Sequence, residues 1–356
     1  MSNILRYKPY IKCILNSDEK KVIFNRPLQD GNQGTVYELS DVGVTVIKCL
    51  EGGITRDQLF VEVLSRFPDA QMEVESILHL LLEEGFVEKE NHTQPDLELE
   101  EKYNRILPLW AELEASDTNR YQIQRSLMKK KIGVIGCGTI GFGVISKLLS
   151  MGISHFYLVD GDNVERTNLT RQPLFTLKDI GRPKVDCVKE FIEARIEHPI
   201  VETHIKTVQS EDDLSILSDV DLIVVAADEN NIEIMAERFG EKVNKPISYT
   251  GGYIGHTGKI YPFYIPNQTH SHSCLVNRFQ NTRINKGTTL NEDKRLISST
   301  SQMADYISSI VSFEIVKFLI GLVDLYLIDK LVIVDFKSYS NHEISLGEGE
   351  CICQFG

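Results

Sequence analysis

IGVIGCGTIGFGVISKLLSMGISHFYLVDGDNVERTNLTRQ, residues 132–172, is a β-α-β unit with chemistry at both of its turns. The apolar run Ile132-Gly133-Val134-Ile135 reads as a strand. It leads into Gly136-Cys137-Gly138-Thr139-Ile140-Gly141, where glycines permit a tight turn and let phosphates approach the backbone at a helix N-terminus. A helical segment follows over 140–150, then a second apolar strand over 155–159 that ends at Asp160. An acid at that place serves to hold a ribose. Asn168-Leu169-Thr170-Arg171-Gln172 changes the reading of the unit. An arginine a few residues beyond the ribose acid puts positive charge where ATP phosphates would lie, which a simple NAD fold does not require.

Outward from this unit the alternation continues, with a helix over 182–195, a strand over 201–206, a helix over 211–217 and a strand over 221–226. Such alternation predicts an α/β fold with a doubly wound, mostly parallel sheet over residues 131–356. The last third adds strands at Lys259–Ile265 and Leu331–Val334 and a long helix from about Gln302 to Leu322. Upstream, residues 91–130 read as a polar linker followed by helices around Ile106–Leu113 and Tyr121–Leu127.

Residues 1–90 form a different module. Short alternating runs at Tyr10–Leu15, Lys21–Asn25 and Thr35–Leu39 suggest strands separated by turn formers. Three helical patterns follow: Asp41 to Leu50, Thr55 to Phe67, and about Ala70 to Glu84. The last carries Val74, Ile77, Leu78, Leu80, Leu81 and Leu82, and Phe86-Val87-Glu88 reads as a closing strand. This order resembles the small winged-helix modules of the PqqD type, which recognise leader peptides. An acidic third helix disfavours the alternative, DNA binding.

Composition sets bounds. The 356 residues are 42% hydrophobic and 25% charged, as in ordinary globular proteins. A net charge of −13 argues against nucleic acid as the main partner. No apolar run approaches the ~18 residues of a membrane span, and the polar start is unlike a secretory signal. The seven cysteines are scattered rather than spaced as a disulfide framework. A cytoplasmic enzyme is expected.

The whole constellation resembles the ThiF-type adenylating family, which includes ubiquitin-activating and sulfur-carrier-activating enzymes, over about residues 100–340. The resemblance implies that Gly136, Gly138 and Gly141 form the nucleotide loop and that Asp160 holds the ATP ribose. It assigns Asn168, Arg171 and Lys184 to the phosphates and Asp228, in Val225-Ala226-Ala227-Asp228, to Mg²⁺. Lys102-Tyr103-Asn104-Arg105 is similar to the family's R-Y-x-R, whose last arginine enters the partner protomer's ATP site. Arg105 would then make the active unit a homodimer; Arg120-Tyr121 is a second, poorer match.

With the N-terminal module, the chain is similar to the family's peptide-modifying branch, typified by the microcin C peptide-adenylating enzyme. The implied substrate is a ribosomally made precursor peptide, held through its leader. The implied chemistry is ATP-dependent carboxylate activation, ending in an intramolecular condensation of the pantocin type or in AMP left on the peptide. Residues 278–300 contain no cysteine, which argues against the thioester step of ubiquitin activation. Cys137 and Cys187 read as packing residues.

The family's structural zinc, held by two C-x-x-C pairs, is altered here. The first pair reads Ser271-His272-Ser273-Cys274 and the second Cys351-Ile352-Cys353. Four ligands remain available from His270 or His272 with Cys274, Cys351 and Cys353; the alternative is that apolar packing replaces the metal. The competing functions are a sulfur-carrier adenylyltransferase, an NAD-dependent oxidoreductase and a peptide-presenting adapter.

Overall fold

The computed structural model describes residues 4–8, 11–25, 34–90, 96–114, 118–229, 231–280 and 298–347. The chain separates into two compact units, Met1–Tyr121 and Gln122–Gly356.

The first unit opens with four short strands, β1 (Ile4–Tyr7), β2 (Lys12–Asn16), β3 (Lys21–Asn25) and β4 (Thr35–Glu38). The helices α1 (Asp41–Cys49), α2 (Arg56–Leu64) and α3 (Gln71–Glu83) follow, with the two-residue strand β5 (Ile54–Thr55) before α2 and β6 (Val87–Glu90) after α3. Strands β2, β3 and β4 form an antiparallel meander, while β1 lies between β5 and β6 in a second antiparallel sheet. Local chemistry sets the helix starts. The Ser40 hydroxyl accepts the Gly43 N–H at α1, one residue before the expected cap, and Thr55 with Gln58 forms a capping box at α2. Val74, Leu78 and Leu81 of α3 face a core with Leu5, Val22, Val46, Leu59 and Val63. Phe24 stacks on Phe86 at 4.3 Å within it. Leu80, expected on the apolar face, is exposed.

The acidic segment expected as linker contains α4 (Leu97–Tyr103), capped by Asp96 and buried through Leu99 and Tyr103. Next come α5 (Leu107–Ala111), which buries Trp110, and α6 (Arg120–Met128). At the start of α6 the Arg120 guanidinium is buried among carboxylates. It donates to Glu114 Oε1 at 2.8 Å, Glu114 Oε2 at 3.1 Å and Glu88 Oε1 at 3.1 Å, and Arg6 reaches the same Glu88 oxygen at 2.8 Å. Closing ends of the first unit are thus tied by charge.

The second unit is built on β7 (Lys131–Ile135), α7 (Thr139–Ser150), β8 (His155–Val159), α8 (Lys184–Glu193), β9 (Ile200–His204), β10 (Leu222–Val225), α9 (Ile232–Val243) and β11 (Ile247–Tyr249). The segment 211–217 is a 3-10 turn rather than the expected α-helix. Its Asp213 carboxylate accepts the Gln209 and Ser210 N–H groups and pairs with Lys206, holding the turn tight. The five strands run parallel in the order β11-β10-β7-β8-β9. The chain-order reversal lies between β7 and β10, the place where such sheets open a crevice for ligand.

Beyond this sheet, β12 (Gly252–Ile254) and β13 (Thr257–Ile260) form a hairpin, and β14 (Phe263–Tyr264) adds antiparallel to β11. After α10 (His272–Gln280) and α11 (Ser301–Ile320), β15 (Lys330–Asp335) and β16 (Ser340–Ser345) complete an antiparallel sheet with that hairpin. Among the described residues no helix is long and apolar enough to cross a membrane.

Candidate nucleotide site

The ends of β7, β8 and β10 lie level because Ile135 pairs with both Val159 and Val225 in register. Gly136, Asp160 and Ala226 therefore leave the sheet side by side. Gly136 has φ +91°, and a Cβ there would sit 2.6 Å from the Ala226 carbonyl oxygen. A Cβ on Gly141 would be 2.0 Å from the Gly136 oxygen. Gly138 is different: among the described residues no atom beyond its chain neighbours lies within 4 Å of its missing Cβ, and it caps α7 with no side-chain hydrogen bond. That cradle, at the positive end of a 12-residue helix, fits a phosphate group.

Asp160 is buried, and both of its carboxylate oxygens are engaged by backbone. The Cys137 N–H donates to Oδ2 at 2.6 Å and the Asp162 N–H to Oδ1 at 2.8 Å. Burial pushes this carboxyl up, and the two amides with nearby Lys184 counter it. Each oxygen keeps a lone pair for a ribose hydroxyl. Lys184, the first residue of α8, is itself buried and donates to Asp162 Oδ2 at 2.6 Å. Asn168 is the one buried residue of a 3-10 turn over Arg166–Thr170, its amide oxygen committed to the Glu165 N–H at 2.9 Å. Arg171 donates to the Thr167 carbonyl at 2.9 Å and keeps further N–H groups. Among the described residues, hydrogen bonds and ion pairs join the loop, Asp160, Asp162 and Lys184, but do not extend to Asn168 or Arg171.

Asp228 is exposed just past β10. Glu229 follows it, half-buried, with Oε2 enclosed and without a hydrogen-bond partner among the described residues. Burial raises its carboxyl, and the charges of Asp228, Asp160 and Asp162 raise it further. An orphaned carboxylate oxygen beside an accessible aspartate suits Mg²⁺, which takes one or two carboxylates along with phosphates. Sequence reasoning missed Glu229 and Asp162. Adjacency to Asp228 and the Asp160-x-Asp162 spacing were the only signals available, and neither discloses burial or pairing.

The thiols near the loop are inert. Cys137 and Cys187 are buried, and that burial pushes both up and keeps them protonated. Arg105 is exposed in the turn between α4 and α5 of the first unit. Arg120, the second match to the arginine motif, has its guanidinium committed to Glu88 and Glu114.

At the altered zinc motif, Cys274 is buried on α10. His272 lies between the rings of Tyr249 and Tyr261, and burial lowers its pKa to about 4. The His270 N–H donates to Asp329 Oδ1 at 2.8 Å. Buried Glu237 caps α10 by accepting the Ser273 N–H at 3.0 Å. Among the described residues no group of three His, Cys, Asp or Glu side chains is arranged to hold a metal ion. Cys351 and Cys353 lie outside the described residues.

The first unit carries an open groove of about 480 Å³, lined among others by Leu5, Arg56, Met72, Leu78, His79 and Leu82. Met72 is 82% exposed there. The groove lies along α3, beside the short edge strand β5, whose partner β1 supplies Leu5.

The ThiF family model matches residues 103–354. A sulfur carrier protein adenylyltransferase of Thermus thermophilus is 29% identical over 143 residues, which are 40% of this chain and 52% of that protein. The chain thus matches about half the length of that relative. Among solved structures, Escherichia coli MccB, crystallised with ATP, aligns with a TM-score of 0.77 at 20% identity over 99% of both chains. The same protein, described as a microcin C7 biosynthetic enzyme, has been solved in complex with N-formylated MccA. A structure named PaaA aligns at a TM-score of 0.72 and 20% identity, over 96% of this chain and all of that one (100%).

Proposed function

The chain belongs to the ThiF family, and on that premise we propose that it uses ATP to adenylate a carboxylate of a ribosomally made precursor peptide. The observation that carries this reading is the joined set at the strand ends: the open Gly138 cradle, Asp160 pinned to the loop, and buried Lys184 beside them. MccB, similar along its whole length, has been crystallised with both ATP and MccA.

The chemistry follows from what these groups offer. The loop amides and the N-terminus of α7 receive the triphosphate, and Asp160 takes the ribose hydroxyls. Lys184 and Arg171 spread positive charge along the phosphates, and Asn168 orders the turn that presents Arg171. Mg²⁺, held by Asp228, would offset the negative charge that grows on the leaving pyrophosphate. The substrate carboxylate attacks Pα in line, the bond from Pα to the bridging oxygen breaks, and the acyl adenylate remains. No cysteine lies between residues 278 and 300, so the adenylate is left for another nucleophile.

The first unit serves as a winged-helix-like leader-recognition module, with the leader running as an added strand along the β5 edge and side chains entering the α3 groove. The enzyme acts as a cytoplasmic homodimer in which Arg105 reaches the partner's site. After activation, an internal nucleophile of the peptide attacks the acyl carbon and loses its proton, the bond from that carbon to the AMP oxygen breaks and AMP leaves, giving a condensed peptide with net loss of water.

Intact mass of a precursor peptide incubated with the enzyme and Mg-ATP tests the reading. Loss of water supports activation with condensation, and a gain equal to AMP supports microcin C-type adenylation. The similarity to the Thermus protein favours a second reading, a sulfur-carrier adenylyltransferase. AMP transfer to a Gly-Gly-tailed carrier, with peptides unchanged, would establish it instead.

A further inference from the structure

Asp228 and Glu229 leave β10 together, but the structure treats them differently. The Ala226 N–H closes the strand on the Ile135 carbonyl at 2.8 Å, and the Ala226–Ala227 backbone presses against Gly136. The residues that follow are thereby fixed at the mouth of the crevice. Asp228 is exposed, whereas Glu229 is half-buried with one carboxylate oxygen enclosed and without a hydrogen-bond partner among the described residues. The backbone of Glu229 has a structural task, since its carbonyl accepts the Ile232 N–H at 3.2 Å at the start of α9. Its side chain has none that uses Oε2. Leaving a buried carboxylate oxygen without a partner is costly, and in this setting a cation is the missing partner.

We infer that Glu229 is a second metal-binding carboxylate of the nucleotide site, acting with Asp228 on the Mg²⁺ that accompanies ATP. The inference rests on the proposed adenylation reading and adds a residue to it. Two carboxylates with phosphate oxygens and water make a donor set that suits this hard, octahedral ion. Asp228 supplies the accessible ligand. Glu229 supplies an oxygen already stripped of water, so less desolvation remains to be done when the metal arrives.

The test is Mn²⁺ affinity in the complex of the full chain with α,β-methylene-ATP, followed by electron paramagnetic resonance. Glu229→Gln keeps the shape of the side chain, and a thermal melt establishes that each variant is folded. The expected result is a loss of Mn²⁺ affinity of roughly tenfold or more in Glu229→Gln, as for removal of groups that support a bound metal. Affinity for the nucleotide without metal should be unchanged or slightly higher. A folded Glu229→Gln with wild-type Mn²⁺ affinity overturns the inference, provided that Asp228→Asn loses metal. If Glu229→Gln melts early, Glu229→Asp replaces it: restored Mn²⁺ affinity supports ligation, and a stable variant with unaltered metal binding in both forms overturns it. If the wild-type chain binds no nucleotide, or Asp228→Asn keeps its metal, the adenylation reading itself fails.

Discussion

A methyl group on Gly141 would meet the Gly136 carbonyl at 2.0 Å, whereas one on Gly138 would meet no atom within 4 Å among the described residues beyond its chain neighbours. The two substitutions should therefore separate folding from binding. Gly141→Ala has to push the loop apart at its tightest point, so both the melting temperature and ATP affinity should fall, with a stability loss of about 1–3 kcal/mol. Gly138→Ala should melt within about 0.5 kcal/mol of wild type, as a surface change does, while ATP affinity drops because the methyl occupies the phosphate cradle. Calorimetric melts and ATP titrations of the two variants check this, and equal melting losses would remove Gly138 from the phosphate site. At this scale the sequence was informative wherever a residue type is constrained by its own backbone or charge. The spacing of Gly136, Gly138 and Gly141 could be read because only glycine fits at the first and third positions, while the second leaves the room that a phosphate needs. Glu229 could not, because nothing local to it announces burial without a partner.

The same division appears among elements. Strands β7, β8 and β10 were legible since buried parallel strands are continuous apolar runs and the helices between them keep a 3.6-residue period. Strand β1 was not: it is four residues long and pairs with β6 about eighty positions away. Helix α4 was hidden because Leu99 and Tyr103 are its only buried side chains in an acidic segment. The Arg120 network was hidden for a different reason. Its partners Glu88 and Glu114 are distant or irregularly spaced, and on the page Arg120-Tyr121 resembled a nucleotide-site motif. Arg120→Ala should lower the stability of the first unit by about 3 kcal/mol, because the enclosed Glu114 carboxylate loses its cation and buried Glu88 is left with Arg6 alone. Urea unfolding of the full chain, followed by Trp110 fluorescence (Trp110 is the sole tryptophan), measures it. A change below about 1 kcal/mol, the scale of a surface ion pair, would mean that the network is solvated.

For the whole molecule, two units with separate cores imply separable phenotypes. Asp228→Ala should abolish peptide turnover while leaving peptide affinity within about twofold, on the scale of a surface substitution, since the residue belongs to the second unit and the proposed leader groove to the first. Fluorescence anisotropy of a labelled precursor, set beside mass-spectrometric turnover, makes the comparison; lost affinity with intact turnover would reverse the assignment. Arg105→Ala tests the homodimer. If Arg105 completes a neighbouring protomer's site, mixing this inactive variant with inactive Asp228→Ala should regenerate activity through hybrid dimers. No recovery despite measured subunit exchange would place Arg105 in its own protomer or outside the site. The α/β class was legible at this scale from alternation alone. The fate of the zinc motif was not, since it depends on residues that meet only after folding.

The acid expected to read the ribose is also the fastening of the glycine loop, through the Cys137 N–H. An Asp160 mutant is therefore an ambiguous instrument, because weak ATP binding would report a lost sugar contact and an unlatched turn in one number. Changing the nucleotide instead of the protein resolves the two: 2′-deoxy- and 3′-deoxy-ATP remove the hydroxyls while the latch stays shut. The affinity lost with these analogues measures recognition, and the additional loss in Asp160→Ala measures how much the site depends on being assembled before its ligand arrives.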